Sequence, residues 1–344
     1  MNFQQLKYVR AAVHNNLNLT EVANALHTSQ SGVSKQIKEL EAELGIEIFV
    51  RRGKRLIDVT PAGDNAVRLI EKVLFETENL KRLSKQFTDQ DKGRLVIMAT
   101  HNQSRYVLPR ILSQFTRLYP EVELELRQVT PNTAAQSLSR GQADIAVATE
   151  ALDQFPELET YSCFSWEHAV VVPAGHPLTH IDHPTFADIS AYPVITYTSG
   201  FSGRPQIDAA FERAGVRPDI RLTAMDADVI KAYAEMGLGV GIVSEMALSL
   251  GQAGTLVRLS RTNLPFSPST TKVAIQRGVL LRNYAYRLIE MLAPHLDAAV
   301  LSGQAKRSNK VISPILPTFA ARRDLHAADG ADESNLPEAR LIAS

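Results

Sequence analysis

A short apolar run, LVIM at residues 95–98, leads directly into the polar stretch ATHNQSRY at 99–106. In this stretch Thr100, Asn102 and Gln103 offer a hydroxyl and two amides just before a helix-like pattern begins. The free backbone N–H groups at a helix start can hold a sulfate or a carboxylate without a cationic side chain. The stretch therefore predicts a site for a small anion, with ordinary helix capping as the alternative for Thr100 and Asn102.

A second set of chemically active residues lies near the N-terminus, on a predicted helix whose apolar side chains all face inward. Its N-terminal half carries short polar and basic side chains, namely Gln30, Ser31, Ser34, Lys35 and Lys38. Short hydrogen-bonding groups can read base edges and cations can bind phosphates, so this composition is typical of a DNA recognition helix. Gly32 inside the helix costs roughly 1 kcal/mol relative to alanine and could instead permit a close backbone approach.

A basic cluster follows this helix, in a glycine-containing loop beyond Phe49. Its members are Arg51, Arg52, Lys54 and Arg55. Such a loop suits a wing that reaches phosphates beside the helix. The alternative for a charge run of this kind is a solvated face.

The first sixty residues have helical periodicity, which predicts three short helices. Their apolar faces are Phe3, Leu6, Val9, Ala12 and Val13; then Leu19, Val22, Ala23 and Leu26, opened by Thr20; then Val33, Ile37, Leu40 and Leu44. A tight polar break at 27–29 separates the last two, which predicts a helix-turn-helix.

From Pro61 to about Phe87 the pattern predicts one long helix. Apolar or small residues recur with spacings of four and three along it, at Ala66, Ile70, Val73, Thr77, Leu80, Ser84 and Phe87. That spacing is typical of the seam of a two-stranded coil. We expect this helix to pair with a second subunit, with packing on its own domain as the alternative.

From Gly93 the pattern changes to short apolar strands alternating with amphipathic helices, which predicts open, largely parallel α/β sheets in two small lobes. The predicted strands are 95–99, 122–129, 144–149, 169–172, 193–197, 221–224 and 240–243, and the predicted helices are 106–118, 205–214, 228–236 and 283–296. A predicted final helix at 283–296 lies far from the first strands in sequence, so the chain is expected to cross back between the lobes. Ser202 precedes a predicted helix at Pro205 in the other lobe, so a second helix start is expected to face the first. Trp166, the only tryptophan, is expected to pack in the core or between the lobes and can also line the pocket.

Composition limits the classes of protein. At 344 residues, two or three domains are expected, and 44% hydrophobic with 22% charged residues indicates a globular chain. The formal net charge is zero, so a polyanion must be bound by local basic clusters. A single cysteine, Cys163, excludes an internal disulfide framework and fits a reducing compartment. No leader and no membrane-spanning stretch is recognised, so we expect a cytoplasmic protein without membrane contact.

Two other motifs are not taken as sites. The glycines of GLGVGIV at 237–243 follow a helix and precede a strand, which is the wrong order for a dinucleotide fingerprint. His176, His180 and His183 have metal-like spacing but lie among prolines without cysteine support, which indicates a polar loop. No nucleophile, base and orienting group stand together, so the sequence predicts no enzyme, no metal and no cofactor.

The string AxxLxxSQxxVSxxIxxLExxLGxxxF at residues 23–49 resembles the N-terminal winged helix-turn-helix of LysR-type transcriptional regulators. TPAG at 60–63 resembles the start of that family's linker helix, and the likeness covers roughly residues 1–296. It implies an α+β multidomain chain: a winged helix-turn-helix at 1–60, a linker and dimerisation helix at 61–90, and two α/β lobes of the periplasmic-binding-protein type at 91–301. Lobe I is expected at about 91–163 and 267–301, lobe II at about 164–266, and a mostly disordered tail at 302–344.

The resemblance also implies which residues contact DNA. They are Thr28, Gln30, Ser31, Ser34, Lys35, Lys38, Arg51, Arg52 and Lys54. Ser31 stands where many members of the family have proline at the helix start.

Within the family, four stretches are most similar to the CysB group, which regulates sulfur assimilation and cysteine synthesis. They are ATHNQSRYVLP, VATEAL, SWEHAVVVPAGHPL and YTSGFSGRPQIDAAFERAG. In CysB-like proteins the crevice between the lobes binds acylated serines and small oxyanions such as sulfate or thiosulfate. The resemblance thus implies effector contacts at Thr100, Asn102, Gln103, Thr149, Trp166 and Ser202. Asn102 and Ser202 both stand where the group usually has threonine.

The sequence as a whole is identified as that of an effector-responsive, self-associating transcription regulator of sulfur-source or cysteine-pathway genes. Its implied partners are double-stranded DNA, a second copy in a homodimer or homotetramer, RNA polymerase, and an effector such as N-acetylserine, O-acetylserine, sulfate or thiosulfate. Three alternatives remain: a LysR-type regulator of another pathway such as aromatic catabolism, a protein that only captures a ligand, and a small-molecule enzyme built on the α/β lobes.

Overall fold

The structure, a computed structural model, describes residues 1–53, 55–88, 91–248, 255–259, 264–296 and 316–319. Lys54 and most of the expected tail at 302–344 lie outside the described residues. The chain divides into two compact units, residues 1–88 and 89–344. None of the described helices is both long enough and apolar enough to span a membrane.

The first unit is a small helical domain with one hairpin. Its elements are α1 (Phe3–His14), α2 (Leu19–Ala25), α3 (Gln30–Leu44), β1 (Phe49–Arg52), β2 (Arg55–Val59) and α4 (Pro61–Thr88). Each of the three short helices starts at a polar cap, because a side-chain oxygen satisfies backbone N–H groups of the first turn: Asn2 for α1, Asn18 for α2 and Ser29 for α3. The expectation that Thr20 opens the second helix is wrong, since Asn18 accepts from the N–H groups of Thr20 and Glu21.

The predicted apolar faces of these helices form the core, with two exceptions. Leu6, Val9 and Ile37 are buried as expected. Phe3 and Leu44 are 54% and 41% exposed, respectively. Both stand at the end of a helix, where no further turn covers the side chain. Periodicity therefore identified the face correctly but not how far the neighbouring elements reach along it.

The long helix α4 has two apolar faces rather than one seam. Near its start Val67, Ile70 and Leu74 are buried in the core of the first unit. A separate exposed stripe consists of Leu69, Val73, Leu80 and Leu83. The predicted seam therefore mixed the two faces, because the broad apolar pattern allowed more than one register. The side chain of Phe87 lies outside the described residues.

The second unit contains two α/β lobes. Lobe I is built from β3 (Gly93–Ala99), α5 (Leu108–Leu118), β4 (Val122–Gln128), α6 (Pro131–Ser139), β5 (Ile145–Ala148), β6 (Leu158–Trp166), β12 (Ser269–Gln276) and α10 (Asn283–Leu292). Lobe II is built from β7 (His168–Pro173), α7 (Phe186–Ser190), β8 (Val194–Tyr197), α8 (Arg204–Arg213), β9 (Ile220–Ala224), α9 (Ala227–Glu235), β10 (Val240–Ser244) and β11 (Leu256–Arg258). The two-lobed fold predicted from the sequence is confirmed.

The sheets are more mixed than the sequence predicts. In the described residues the strand orders are β4-β3-β5-β12-β6 in lobe I and β11-β7-β10-β8-β9 in lobe II. The β3–β4, β3–β5, β8–β9 and β8–β10 pairs are parallel, as expected. The pairs made by β12 and β7 are antiparallel. These two strands lie where the chain passes between the lobes, and that passage reverses their direction.

The chain passes between the lobes at two places that lie side by side. It enters lobe II between Trp166 and His168 and is back in lobe I at Ser269. Trp166 and Ser269 are directly opposite each other in the β6–β12 pairing. The predicted crossing back is therefore present, and the functional residues described below lie beside it.

A short part of the expected tail packs on lobe I. The N–H of Ser165 donates to the carbonyl of Pro317 at 3.0 Å, Thr318 pairs with Ser165, and the Phe319 ring lies 5.8 Å from that of Phe164. Residues 316–319 thus lie along the edge of β6, and the rest of the expected tail lies outside the described residues. No local pattern predicts this contact, because it joins segments about 150 residues apart.

Candidate nucleic-acid and effector sites

The outer face of α3 has the character of a recognition surface. Thr28, Gln30, Ser31, Lys35 and Lys38 are exposed, and Ser34 is half-buried. The opposite face, with Val33, Ile37 and Leu40, is fully buried. Gly32 has a different role from the one expected, since a Cβ there would lie 2.9 Å from the Oγ of Ser29, whose hydroxyl caps the Gly32 N–H at 3.1 Å. The close approach is thus to the cap of the helix itself.

The hairpin of β1 and β2 forms the predicted wing, but its arginines differ in their partners. Arg52 and Arg55 are exposed near the turn at Gly53. Arg51 instead donates to the Glu41 carboxylate at 2.7 Å, and Glu41 also accepts the N–H groups of Ile48 and Phe49 at 2.9 and 3.1 Å. Glu41 is buried, so Arg51 neutralises a buried charge and fixes the start of the wing.

The TPAG segment explains how α4 is attached to the wing. The Thr60 hydroxyl caps the N–H of Gly63 at 2.8 Å. A Cβ at Gly63 would lie 2.0 Å from the carbonyl oxygen of Ile48, so only glycine allows this backbone contact. The segment thus holds the wing against the first turn of α4.

In the second unit, the polar stretch after β3 lies between the lobes. Thr100, Asn102 and Gln103 are all buried, and they lead into a π-helical turn at Gln103–Val107 that precedes α5. π-Helical turns are rare and are found frequently at functional sites. The Asn102 amide donates to the Ser202 hydroxyl at 3.0 Å and to the Tyr197 hydroxyl at 3.4 Å. The two predicted stretches, more than 90 residues apart, are therefore in direct contact.

Ser202 is held from several sides. Besides Asn102, the His168 Nε2 donates to the Ser202 carbonyl at 2.9 Å. Its φ of 45° is unusual for a residue with a side chain, which indicates that these contacts fix the loop in a strained conformation. Gly203 follows with φ of 70°, and a Cβ there would lie 2.4 Å from the Oγ of Ser269. The loop before α8 thus fits tightly on the strands that join the lobes.

Gln103 and Trp166 complete the contacts between the predicted effector residues and the joining strands. The Gln103 amide donates to the Thr271 hydroxyl at 3.0 Å. Trp166 is 1% exposed, and its ring centroid lies 5.0 Å from that of His168. Thr149 is half-buried in the loop after β5, and its side chain makes no hydrogen bond to the other effector candidates in the described structure.

Among the buried polar atoms that have no hydrogen-bond partner within the described residues, five lie on residues beside the strands that join the lobes. They are Asn102 Oδ1, Gln103 Oε1, Trp166 Nε1, His168 Nδ1 and Ser269 Oγ. We call these five residues the interlobe cluster. A buried polar atom without a partner costs about 1–3 kcal/mol, and several together indicate a site built for a polar ligand. The Trp166 indole N–H can only donate, so it requires an acceptor such as an oxyanion oxygen.

Burial shifts the titration of two groups beside the cluster in opposite directions. It lowers the pKa of His168 to about 4, so the imidazole is neutral at physiological pH. Because Nε2 donates to the Ser202 carbonyl, Nδ1 is then an acceptor. Burial raises the pKa of the Glu150 carboxyl to about 7, although N–H groups of Gly203 and Ser202 counteract it.

A second polar contact joins the lobes outside the cluster. Asp228, at the start of α9, accepts from the Tyr106 hydroxyl at 2.7 Å and lies 3.0 Å from the Lys231 ammonium, 3.4 Å from Arg105 and 3.5 Å from His101. Although burial acts to raise it, hydrogen bonds from Tyr106 and Lys231 hold the pKa of Asp228 at about 2. The π-helical turn is thus tied to lobe II by charge as well as by Asn102.

Several residues of the site were missed in the sequence. Ser269 and Thr271 lie on β12, a strand that was not predicted. His168 and Glu150 lie within stretches that were recognised, but adjacent or nearby residues were chosen instead. A polar residue directly beside an apolar strand is the sequence pattern that could have identified these two residues. Glu150 follows IAVAT, and His168 precedes AVVV.

The histidine loop and the glycine pattern play structural parts. The His176 Nδ1 accepts the N–H of Leu178 at 3.2 Å, and its ring lies 4.6 Å from that of Tyr192. Across the described residues, no three His, Cys, Asp or Glu side chains are grouped to hold a metal ion. A Cβ at Gly239 would lie 2.4 Å from the Pro193 carbonyl oxygen, so this glycine permits strand packing.

A helix-turn-helix unit with a wing, followed by two α/β lobes with a polar cluster between them, defines the architecture of a DNA-binding regulator with a small-molecule domain. Residues 3–64 match the bacterial regulatory helix-turn-helix protein, lysR family, and residues 88–297 match the LysR substrate binding domain. The chain belongs to the LysR family of transcription regulators.

Individual relatives are similar along nearly their whole length. The HTH-type transcriptional regulator SsuR of Burkholderia cenocepacia is 54% identical over 88% of this chain and 98% of its own. CysB of the same organism is 46% identical over 89% of this chain and 97% of its own. Among solved structures, the cofactor-binding domain of the Cbl transcriptional regulator superposes with a TM-score of 0.60 at 41% identity, covering 63% of this chain and 95% of that domain. These names agree with the expectation that the chain is not an enzyme.

Proposed function

We propose that this protein is an effector-responsive regulator of sulfur assimilation or cysteine synthesis genes, with a small oxyanion or an acylated serine bound between its lobes. The observation that carries the proposal is the interlobe cluster. It joins the polar stretch of lobe I to the loop before α8 in lobe II, so its ligand touches both lobes. The similarity to SsuR and CysB supports the sulfur pathway as the physiological context.

The chemistry of the cluster favours a small ligand with several oxygen atoms. Trp166 supplies an unambiguous N–H donor, and the helix start after Thr100 supplies backbone N–H groups. The free amide oxygens of Asn102 and Gln103, together with His168 Nδ1, accept hydrogen bonds from any donors on the ligand. An acylserine offers a carboxylate and an N–H or ammonium group, whereas sulfate and thiosulfate offer oxygens alone. Asn102 stands in place of threonine, and its amide is longer and can both donate and accept hydrogen bonds. This difference bears on which of these ligands the site prefers.

DNA binding is assigned to the outer face of α3 and the wing. Base edges are read by short polar side chains and phosphates are bound by the cations, a set comprising Thr28, Gln30, Ser31, Ser34, Lys35, Lys38, Arg52 and Lys54. Arg51 has its side chain on Glu41, so we assign it a positioning role within the wing in place of a direct phosphate contact.

Self-association is assigned to the exposed stripe of α4. Leu69, Val73, Leu80 and Leu83 recur with the spacing of a coiled-coil face, and an exposed stripe of this length is costly in water. Pairing of two stripes would place two recognition helices on spaced half-sites of DNA. We further propose that the protein forms a homodimer or homotetramer, acts in the cytoplasm and contacts RNA polymerase at the promoter.

In this mechanism the ligand changes the relative stability of two lobe arrangements. A ligand held by residues of both lobes binds one arrangement more tightly and so shifts the equilibrium towards it. That shift changes the relative placement of the paired helix-turn-helix units on DNA, which changes transcription.

The test is a ligand titration on the full chain with sulfate, thiosulfate, O-acetylserine and N-acetylserine. Binding is read by thermal shift, then by a change in the DNase footprint on an operator. We expect at least one of the four to raise the unfolding temperature and alter the footprint. Response only to aromatic acids would favour a LysR-type regulator of aromatic catabolism. A thermal shift with an unaltered footprint would favour simple ligand capture.

A further inference from the structure

The side chain of Glu150 reaches from lobe I to the start of α8 in lobe II. Its carboxylate accepts hydrogen bonds from the backbone N–H groups of Gly203 and Ser202. N–H groups at the start of a helix are the kind that bind anionic ligands. Part of the anion-binding capacity expected of this loop is therefore used by a carboxylate of the protein itself.

The Glu150 side chain is half-buried, and its carboxylate has no cationic partner among the described residues. The cations of the neighbouring segments are bound to other carboxylates, Arg204 to Asp208 and Lys272 to Asp153. The other titratable side chains of these segments also have partners of their own: His168 the Ser202 carbonyl, Tyr197 the Ser244 N–H and Asn102, and Asp226 the Val229 N–H. Only dipoles therefore compensate the charge of Glu150. An uncompensated buried carboxylate is stabilised by taking up a proton.

Ser202 connects Glu150 to the interlobe cluster. Its N–H faces Glu150, its hydroxyl accepts from Asn102 at 3.0 Å, and its carbonyl accepts from His168 at 2.9 Å. An anion bound by the cluster is then separated from the Glu150 carboxylate by little more than one residue. Two negative charges this close in a buried site repel each other strongly.

We propose that an oxyanion effector enters the crevice together with one proton, and that Glu150 takes this proton from solvent. The inference rests on the proposed function, in which the ligand is a small oxyanion. Once protonated, the carboxyl group keeps one oxygen as an acceptor for the Gly203 N–H and no longer repels the bound anion. Anion binding and proton uptake at this site are then thermodynamically coupled.

The titration behaviour of Glu150 is consistent with this role. Burial raises the pKa of its carboxyl to about 7. The group is thus divided between its two forms at physiological pH, and a nearby anion favours the protonated form further. Below this pKa the proton is already present and anion binding needs no further uptake.

The test is calorimetric titration of the full chain with sulfate between pH about 6 and about 8.5, in two buffers of different ionisation enthalpy. For the unmodified protein we expect the affinity to fall about tenfold per pH unit above about 7, with uptake of one proton per sulfate at the alkaline end. Glu150→Gln should bind with little pH dependence and about tenfold more tightly at pH about 8. Glu150→Asp, which keeps the carboxylate, should retain the slope.

Glu157→Gln is the matched control, because it removes an exposed carboxylate from the same lobe and should behave like the unmodified protein. Zero proton uptake by the unmodified protein at the alkaline end would overturn the inference without reference to any variant. So would an unchanged slope in Glu150→Gln. Absence of sulfate binding at every pH in every variant would instead refute the oxyanion class in the proposed function, and this inference with it.

Discussion

Ser202 contacts three residues that come from distant parts of the chain. Asn102 reaches it from the stretch after β3, His168 from the start of β7, and Glu150 from the loop after β5. Each contact uses a different atom of the serine, so the positive φ of this residue is fixed from every side. The position of this one residue in lobe II thus depends on three segments. A residue that responds to a ligand between the lobes needs such contacts.

Trp166→Phe isolates the contribution of one hydrogen-bond donor to the effector site. The phenyl ring keeps most of the buried apolar volume but has no N–H to offer an oxyanion. We expect the affinity for sulfate to fall about tenfold, the usual effect of losing one hydrogen bond to a charged ligand, while the unfolding temperature changes little. Calorimetric titration measures the affinity. Equal affinity in both proteins would show that the indole N–H does not contact the ligand.

His168→Gln tests the buried neutral histidine through the pH dependence of stability. The folded pKa of about 4 lies below the value of about 6.5 in the unfolded chain, so the unfolded state binds more protons between these values. The histidine therefore stabilises the fold above pH about 6.5 and loses this effect as the pH falls towards 4, by at most about 1.4 kcal/mol per pH unit.

Urea unfolding at several pH values measures this slope. We expect Gln at position 168, whose amide nitrogen can still donate to the Ser202 carbonyl, to remove the histidine's contribution, so that stability rises less with pH in that window than in the unmodified protein. The comparison between the two proteins separates the contribution of His168 to the pH dependence of stability from that of Glu150. The raised pKa of Glu150 makes stability fall as the pH rises, which is the opposite slope. The exposed His180→Gln serves as control and should follow the unmodified protein. Identical slopes for His168→Gln and the unmodified protein would contradict the assignment.

At the scale of elements, adjacent arginines of the wing provide a matched pair of variants. Arg51→Ala leaves the buried Glu41 carboxylate without its cation and should lower the free energy of unfolding by about 2 kcal/mol. Arg52→Ala removes an exposed cation, so stability should stay within about 0.5 kcal/mol. DNA affinity should nevertheless fall, with a slope in log salt concentration shallower by about one.

Urea unfolding and DNA binding across a salt series measure both quantities for both variants. The exposed Arg117→Ala on α5 is the control for general loss of charge. A stability loss in Arg52→Ala as large as in Arg51→Ala would contradict the assignment of Arg51 to stability and of Arg52 to DNA binding.

The elements also show what the sequence could and could not predict. Strands β3, β5, β8 and β10 are mainly apolar runs, so periodicity located them, together with the helices that follow β3 and β8. Strand β12 reads STTKVAIQ, and its buried Ser269 and Thr271 make it look like a polar loop. Ser269 is buried against Gly203 of the neighbouring lobe and Thr271 against the Gln103 amide, and no local pattern records such contacts. The candidate residues Asn102 and Gln103 follow a strand that the sequence predicts, whereas Ser269 and Thr271 lie on β12, which it does not predict.

At the scale of the whole molecule, the exposed stripe of α4 raises the question of how two copies act together. One recognition helix contacts only a few base pairs, and its affinity alone is modest. Joining two such units makes binding of the second half-site intramolecular, which raises the overall affinity by about 10²–10⁴ when the spacing fits. The proposed effector control also relies on two connected units, because lobe movement can change the spacing of two recognition helices but not of one.

Leu80→Glu tests this arrangement. Leu80 is 67% exposed in the first unit, so a charge there does not disturb the core of that unit, but it would place a carboxylate in the paired stripe. Sedimentation at micromolar concentration should show a smaller assembly than for the unmodified protein, and affinity for a two-half-site operator should fall by about 10²-fold or more. Affinity for a single half-site should hardly change. Leu80→Met, which keeps the stripe apolar, is the control at the same position and should preserve both properties. An unchanged assembly in Leu80→Glu would place the subunit contact elsewhere on the chain.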